Sequence, residues 1–159
     1  MLQNLGDEMM ANNSLSRNLD QLQRILVVED DPDMLGLVSR VLAKRFPAAE
    51  VIEISNGLDA LERLTGSIPD LLILDICLPG VDGFEILSKT RTSVAKRALK
   101  VLAISGYADK LVRARQLGSE EILAKPFTAN ELTLAIEALF DMGENFAVTM
   151  EENNEGKQS

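Results

Sequence analysis

The sequence of 159 residues contains no histidine, no tryptophan and only one cysteine, Cys77. A single cysteine cannot close a disulfide within the chain, and the absence of histidine argues against a zinc or haem site. Long apolar runs are missing as well, since none approaches the roughly 18 residues that a membrane-spanning helix needs. The first residues also lack the basic start and apolar stretch of a signal peptide. We therefore expect a cytoplasmic protein with no membrane partner.

Positive charge and aromatic side chains are scarce. The chain carries 16 Lys and Arg against 25 Asp and Glu, which gives a formal net charge of −9. Because nucleic acid attracts proteins through a basic surface, we expect no direct contact with nucleic acid. Hydrophobic residues make up 46% of the chain and aromatic residues only 4%, so the core should be aliphatic. The length fits one domain with tails.

One buried strand followed by an acid stands out. Leu71–Leu74 are four aliphatic residues in a row, which is typical of a strand buried on both faces. Asp75 follows at once, and then Pro79, Gly80 and Gly83 prevent regular structure from continuing. Open parallel sheets place their chemistry at the carboxyl ends of such strands. Taken alone, however, Asp75 could equally cap a strand or a turn.

Strands and helices alternate along the rest of the chain. Five strands alternating with five helices predict right-handed crossovers and an α/β fold with a doubly wound parallel sheet. The predicted strands are Ile25–Val28, Val51–Ile54, Leu71–Leu74, Val101–Ile104 and Ile122–Ala124, and the predicted helices begin at or near Pro32, Gly57, Phe84, Ala108 and Thr128.

The two ends of the chain differ from its centre. Residues 1–23 are mainly polar, and Leu15, Leu19 and Leu22 form a stripe at helical spacing. This leader is either flexible and loosely docked, or a short helix that packs on the domain or pairs two subunits. We place the domain at residues 24–141 and expect the polar, acidic residues 142–159 to be a disordered tail.

Polar residues end four of the five strands, and in a parallel sheet these ends share one edge. The residues are Glu29, Asp30, Asp75, Ser105 and Lys125. Three carboxylates brought together repel one another unless a cation lies among them, and Mg²⁺ suits such oxygen ligands. An ammonium and a hydroxyl beside the metal suit a tetrahedral anion. The set predicts transfer of a phosphoryl group onto a carboxylate. Each residue taken alone has an ordinary structural explanation, but such explanations do not account for all five residues at one edge of the sheet.

Four motifs resemble the receiver domain of two-component response regulators, in particular stand-alone receivers of the chemotaxis type. The resemblance covers residues 24–141 in order and spacing, and it implies a flavodoxin-like sheet with strand order 2-1-3-4-5. The motifs are Ile-Leu-Val-Val-Glu-Asp-Asp-Pro at 25–32, Leu-Ile-Leu-Asp-Ile-Cys-Leu-Pro-Gly-Val-Asp-Gly at 72–83, Leu-Ala-Ile-Ser-Gly at 102–106 and Ala-Lys-Pro-Phe at 124–127.

The resemblance also implies roles for single residues. Asp75 would accept a phosphoryl group from a sensor histidine kinase or a histidine phosphotransfer protein. Asp30 and Asp75 would bind Mg²⁺ directly, Glu29 would act through water, and Cys77 would contribute its backbone carbonyl, which leaves its thiol incidental. Asp31 would instead help to begin the first helix.

The implied switch involves Lys125 and Ser105, which would both contact the phosphoryl oxygens. Ser105 and its loop would move inward, and the surface of the fourth helix, fifth strand and fifth helix would repack. The Lys125–Pro126 bond would be cis. Receivers usually have an aromatic switch residue three positions before this lysine, where the present chain has Ile122. Tyr107 is a weaker candidate for the same role.

These inferences predict a single-domain response regulator whose output is a change in binding to a downstream protein target. It would not be an enzyme, beyond autocatalysing its own phosphorylation and dephosphorylation, and we expect no output domain after Asp141. One alternative is a receiver-like docking module that works without phosphorylation. Another is a Mg²⁺-dependent phosphohydrolase with an aspartyl intermediate, which would need an acid–base group where Ile76 adjoins Asp75.

Overall fold

The computed structural model describes residues 19–92 and 99–152 and confirms the predicted α/β fold. Five parallel strands form one sheet in the order β2-β1-β3-β4-β5. The strands are β1 (Arg24–Val28), β2 (Glu50–Ile54), β3 (Leu71–Asp75), β4 (Lys100–Ser105) and β5 (Glu121–Ala124). The helices are α1 (Pro32–Arg45), α2 (Gly57–Gly66), α3 (Gly83–Thr90), α4 (Ala108–Gln116) and α5 (Ala129–Glu152).

The sheet divides the core into two aliphatic clusters, one on each of its faces, and the neighbouring strands β1 and β3 contribute to both. In β1, Ile25 and Val27 belong to the cluster under α1 and α5, while Leu26 and Val28 belong to the cluster under α2, α3 and α4. The residues of β3 alternate in the same way, and all five are buried. This alternation follows from the two-residue period of a strand, and it explains why both strands are almost continuously apolar.

Short polar side chains cap the first turns of α1, α2, α3 and α5, whereas α4 begins after Tyr107 without a side-chain cap. Asp31 accepts hydrogen bonds from the backbone N–H groups of Asp33 and Met34 at the start of α1, as predicted for this acid. At the start of α5, Thr128 and Glu131 form a reciprocal capping box. The Thr128 N–H donates to Glu131 Oε2 at 2.7 Å, and the Glu131 N–H donates to Thr128 Oγ1 at 3.2 Å.

Described structure continues past both ends of the predicted domain, residues 24–141. At the amino end, Leu19 and Leu22 of the leucine stripe are buried in the cluster under α1 and α5, so packing begins at Leu19 rather than at residue 24. Leu15 lies outside the described residues.

At the carboxyl end, α5 continues to Glu152, whereas the sequence predicts a disordered tail from residue 142. Residues 153–159 lie outside the described range. Residues 142–152 contain no proline and a single glycine, Gly143, which costs about 1 kcal/mol in a helix interior. Among the described helices, none combines the length and apolar character needed to cross a bilayer.

The start of α3 is fitted tightly against the end of β3 through Gly83. A Cβ atom on Gly83 would lie 2.6 Å from the Ile76 Cα atom and 2.9 Å from the Asp75 carbonyl oxygen. Both neighbours are backbone atoms, which cannot rotate away. The loop after Asp75 can therefore return to the sheet only with glycine at this position.

We expect Gly83→Ala to lower the free energy of unfolding by about 1–3 kcal/mol, since the added methyl group forces α3 away from β3. Gly36→Ala is the matched control, because a Cβ atom at this site within α1 meets nothing within 4 Å. That control should stabilise the protein by up to about 1 kcal/mol. Urea unfolding of both variants measures the difference, and equal effects would contradict the close fit at Gly83.

Candidate functional site

The carboxyl ends of β1 and β3 bring three acids together in one crevice. Single carboxylate oxygens of Glu29, Asp30 and Asp75 all lie within 4.8 Å of one another. Glu29 and Asp75 are buried, with exposed fractions of 3% and 4%, whereas Asp30 is exposed. The crevice thus combines two desolvated acids with one that faces solvent at its mouth.

Lys125, which follows β5, joins the two buried acids. Its Nζ atom donates to Glu29 Oε2 at 2.7 Å and to Asp75 Oδ2 at 2.9 Å. Burial raises the pKa of Glu29, and the hydrogen bond from Lys125 offsets this only in part. Burial alone would lower the pKa of Lys125, but its bonds to the two carboxylates outweigh that effect and raise it. The ammonium is therefore firmly held as a cation between the acids.

Backbone N–H groups hold the second oxygen of each buried acid. Asp75 Oδ1 accepts from the Cys77 N–H at 2.8 Å, and Glu29 Oε1 accepts from the Asp31 N–H at 3.1 Å. Each of these carboxylates is thus fixed by an ammonium on one oxygen and a peptide group on the other. This arrangement fixes the orientation of Asp75 and leaves the open side of the crevice to Asp30.

Ser105, the last residue of β4, is fully buried and lies next to the Cys77 side chain. Its Oγ atom accepts from the Tyr107 N–H at 3.1 Å and lies 3.4 Å from Cys77 Sγ. The thiol also accepts from Lys110 Nζ at 3.5 Å. The resemblance leaves this thiol without a role, and in the structure it lies between a hydroxyl and an ammonium.

Lys110 was not predicted as a site residue. It lies in the first turn of α4, three residues after Tyr107, and its ammonium is 5.2 Å from the centre of the Tyr107 ring. Tyr107 itself is 60% exposed. The helical spacing of Tyr107 and Lys110 could have indicated their contact, but nothing in the sequence pairs Lys110 with Cys77.

The two proposed switch residues have different surroundings. Ile122 is half-buried in β5 and packs against the cluster under α2, α3 and α4, whereas the Tyr107 ring lies at the surface. The Lys125–Pro126 peptide bond is cis, as the resemblance implied.

The donor set fits a hard divalent cation. Three carboxylates carry a formal charge of −3 against a single positive charge on Lys125, so the crevice has an excess of negative charge. Carboxylate oxygens with room for water are the ligands that Mg²⁺ prefers. The exposed position of Asp30 gives an ion a route into the crevice from solvent.

Comparison with known proteins agrees with this geometry. The family model of the response regulator receiver domain matches residues 25–137. The transcriptional regulatory protein TcrA of Mycobacterium tuberculosis is 32% identical over 120 residues, which are 76% of this chain but only 47% of TcrA. The sporulation initiation phosphotransferase F of Bacillus subtilis is 31% identical over 125 residues, and the match covers 77% of this chain and 98% of the relative.

A solved structure shares the same fold. The receiver domain of the sensor histidine kinase PA1611 from Pseudomonas aeruginosa, with a magnesium ion coordinated in its active site cleft, is 26% identical. It superimposes with a TM-score of 0.66 over 74% of this chain and 97% of that domain.

Receiver domains are phosphoryl-accepting modules of two-component signalling rather than classical enzymes. They interact with histidine kinases or phosphotransfer proteins, and they generally bind Mg²⁺ at an acidic pocket. The fold, the acidic crevice and the family match over residues 25–137 together show that this chain belongs to the response regulator receiver domain family.

Proposed function

We propose that Asp75 accepts a phosphoryl group from a phosphohistidine of a sensor histidine kinase or a histidine phosphotransfer protein. The observation that carries this proposal is the position of Asp75. Its carboxylate is buried, bonded to Lys125 on one oxygen, and within 4.8 Å of two further acids. Glu29 shares these features, but only Asp75 lies at the end of the central strand β3, the position that the receiver resemblance assigns to the phosphoryl acceptor.

Mg²⁺ would be held by Asp30 and Asp75 directly, by Glu29 through water and by the backbone carbonyl of Cys77. When bound, the ion supplies positive charge that orients the phosphoryl oxygens and offsets their repulsion by the carboxylates. The fit rests on the three clustered carboxylates and on their excess of negative charge over Lys125.

In the transfer step, an oxygen of Asp75 forms a bond to phosphorus as the bond between phosphorus and the donor imidazole nitrogen breaks. The imidazole leaves with the electron pair of that bond. Lys125 then exchanges its contact with the Asp75 carboxylate for one with a phosphoryl oxygen, and it needs to move little to do so. The low exposure of Glu29 and Asp75 limits the access of competing water during the step.

The output would follow from the movement of Ser105. Its hydroxyl lies beside Cys77 and accepts from the Tyr107 N–H, so turning towards a phosphoryl oxygen would pull on the start of α4. Ile122 has no ring to rotate, and the exposed Tyr107 beside Lys110 is the side chain next to this hinge. We propose that α4, β5 and α5 then present a changed surface to a downstream protein in the cytoplasm.

The acidic net charge supports a protein target rather than direct binding to nucleic acid or an anionic membrane. The described residues form one sheet with its covering helices, and we propose that this unit carries the phosphoryl-dependent switch. It would have no substrate to turn over, apart from forming and hydrolysing its own aspartyl phosphate.

The first prediction concerns phosphoryl acceptance. Incubation with acetyl phosphate and Mg²⁺ should add one phosphoryl group to the intact mass of the chain, because Asp75 is positioned as a nucleophile. Neither Asp75→Ala nor the parent protein without Mg²⁺ should gain this mass. If the folded parent protein stays unmodified under all conditions, the alternative of a phosphorylation-independent docking module takes the place of this proposal.

The second prediction concerns the metal site. Asp30→Asn should weaken Mg²⁺ binding by about tenfold or more, close to 1.4 kcal/mol, because a charged ligand becomes neutral. Asp31→Asn is the matched control: Asp31 is the neighbouring acid, but its side chain caps α1, and asparagine caps a helix equally well. Titration calorimetry with MgCl₂ measures both. Equal losses of Mg²⁺ affinity in the two variants would mean that Asp30 contributes only its negative charge and is not a ligand of the ion.

The third prediction concerns Lys125. Lys125→Met removes the cation between two buried acids and should lower the free energy of unfolding by about 2–4 kcal/mol at pH 7. Because the pKa of Glu29 is raised, the folded state binds this proton more tightly than the unfolded state. The stabilisation from protonated Glu29 is fully present below the ordinary pKa of this side chain, 4.5. It is lost as the pH rises through the higher pKa that Glu29 has in the folded state.

The penalty of Lys125→Met should therefore shrink as pH falls from 7 towards 5, because Glu29 takes up a proton. Urea unfolding without Mg²⁺ at both pH values measures this trend. Lys44→Met, at an exposed site near the end of α1, is the control and should change stability by no more than about 0.5 kcal/mol at either pH. If the loss of unfolding free energy in Lys125→Met were larger at pH 5 than at pH 7, the ion pair with Lys125 would not control the protonation of Glu29.

A further inference from the structure

A second ammonium lies beside the acidic crevice, on the first turn of α4. Lys110 Nζ is 3.5 Å from Cys77 Sγ and 5.2 Å from the centre of the Tyr107 ring. Among the described side chains, no carboxylate forms an ion pair with Lys110. The described partners of this half-buried ammonium are thus a thiol and an aromatic ring. Both hold a cation less strongly than an anionic oxygen does.

Cys77 connects this ammonium to the phosphoryl site. Its backbone N–H donates to Asp75 Oδ1 at 2.8 Å, and its Sγ atom lies 3.4 Å from Ser105 Oγ. Lys110 and Ser105 thus contact the same sulfur atom, and Ser105 is the residue that the proposed function turns towards a phosphoryl oxygen. Because a lysine ammonium sits on a flexible four-carbon stem, it can follow the same path with little movement of the backbone.

We propose that Lys110 leaves the Cys77 thiol and binds a phosphoryl oxygen when Asp75 is phosphorylated, and that this contact pulls on the first turn of α4. The inference rests on the proposed phosphoryl acceptance at Asp75, and it names the residue that would carry the signal from Asp75 to α4. A charged side chain would then do the work for which Ile122 has no ring.

The charges of the crevice explain why Lys110 would move only after phosphorylation. The three carboxylates exceed the Lys125 ammonium by two negative charges, which a divalent ion would cancel. Phosphorylation replaces the single charge of Asp75 by about two negative charges. The modified crevice then keeps an excess of about one negative charge even with the ion bound, and it attracts a cation that lies beside it.

The start of α4 is held in a way that allows such a movement. Unlike the starts of the other four helices, it has no side-chain cap. The Tyr107 N–H donates instead to Ser105 Oγ, which is itself expected to turn. The side chains of Tyr107 and Val112 are 60% and 57% exposed. A shift of α4 would therefore displace exposed apolar groups that a protein partner can contact.

Beryllofluoride, which forms a tetrahedral mimic of a phosphoryl group on a carboxylate, tests the contact. With MgCl₂ present, Lys110→Met should weaken beryllofluoride binding by about tenfold, because a charge-assisted hydrogen bond is lost. Lys110→Arg keeps the charge and the donors, and it should recover most of this affinity. Fluorine NMR of the bound ligand measures both variants against the parent chain. Equal affinities of the parent and Lys110→Met would overturn the proposal.

Arg113→Met is the matched control for general charge. Arg113 lies on the same helix, but its guanidinium is 4.5 Å from the centre of the Phe84 ring and not at the thiol. This substitution removes the same charge and should change beryllofluoride affinity by no more than about twofold. Equal losses of affinity in Lys110→Met and Arg113→Met would show that Lys110 acts only through net charge, and would overturn the proposed contact.

Tyrosine fluorescence tests the movement separately, because Tyr107 is the only tyrosine in a chain that has no tryptophan. Beryllofluoride should change the Tyr107 emission of the parent chain as the ammonium leaves the ring. At saturating beryllofluoride, Lys110→Met should lose most of this change. An unchanged emission in the parent would show that the ammonium stays on the ring, and a full change in Lys110→Met would show that α4 responds without Lys110.

Either of these fluorescence results would overturn the role of Lys110 while leaving phosphoryl acceptance at Asp75 intact. A folded parent chain that neither binds beryllofluoride nor accepts a phosphoryl group would overturn both the proposed function and this inference. The two failures are therefore distinguishable.

Discussion

The bridge from Lys125 to Glu29 and Asp75 is the interaction on which the rest of the site depends. Two carboxylates cannot both remain charged in a buried crevice without a cation, and the ammonium bonded to both at 2.7 and 2.9 Å supplies it. The bridge also joins the end of β5 to the ends of β1 and β3. A single lysine thus offsets the negative charge of the crevice and also holds the ends of three strands together.

Strand register makes that bridge possible. Val28 pairs with Leu74, and Asp75 pairs with Ile104, so β1, β3 and β4 end within two residues of one another. Because the strands are parallel, the residues that follow them arrive at one edge even though 96 positions separate Lys125 from Glu29 in the chain. A slip of one residue in β3 would carry the Asp75 side chain to the other face of the sheet, away from Lys125.

Much of this could be predicted from the sequence, because strand periodicity, capping residues and strand-end acids are local signals. The alternation of β1, the cap at Asp31 and the box at Thr128 each follow from a few neighbouring residues. The length of α5 does not follow from composition, because a polar, acidic stretch is compatible with a helix as well as with disorder. The contact between Lys110 and Cys77 was missed because it joins residues of different elements that share no pattern.

The division of the core into two clusters has a consequence for how such a domain can vary during evolution. Substitutions among aliphatic residues keep the two faces of β1 apart, but one inserted residue would exchange Ile25 and Val27 with Leu26 and Val28. Changes in chain length are therefore confined to the connections between elements. The strands therefore keep a constant length between the edge of the sheet at which Leu19 and Leu22 are buried and the edge that carries the acidic crevice. Substitutions can alter either edge independently, while the distance between the two edges stays the same.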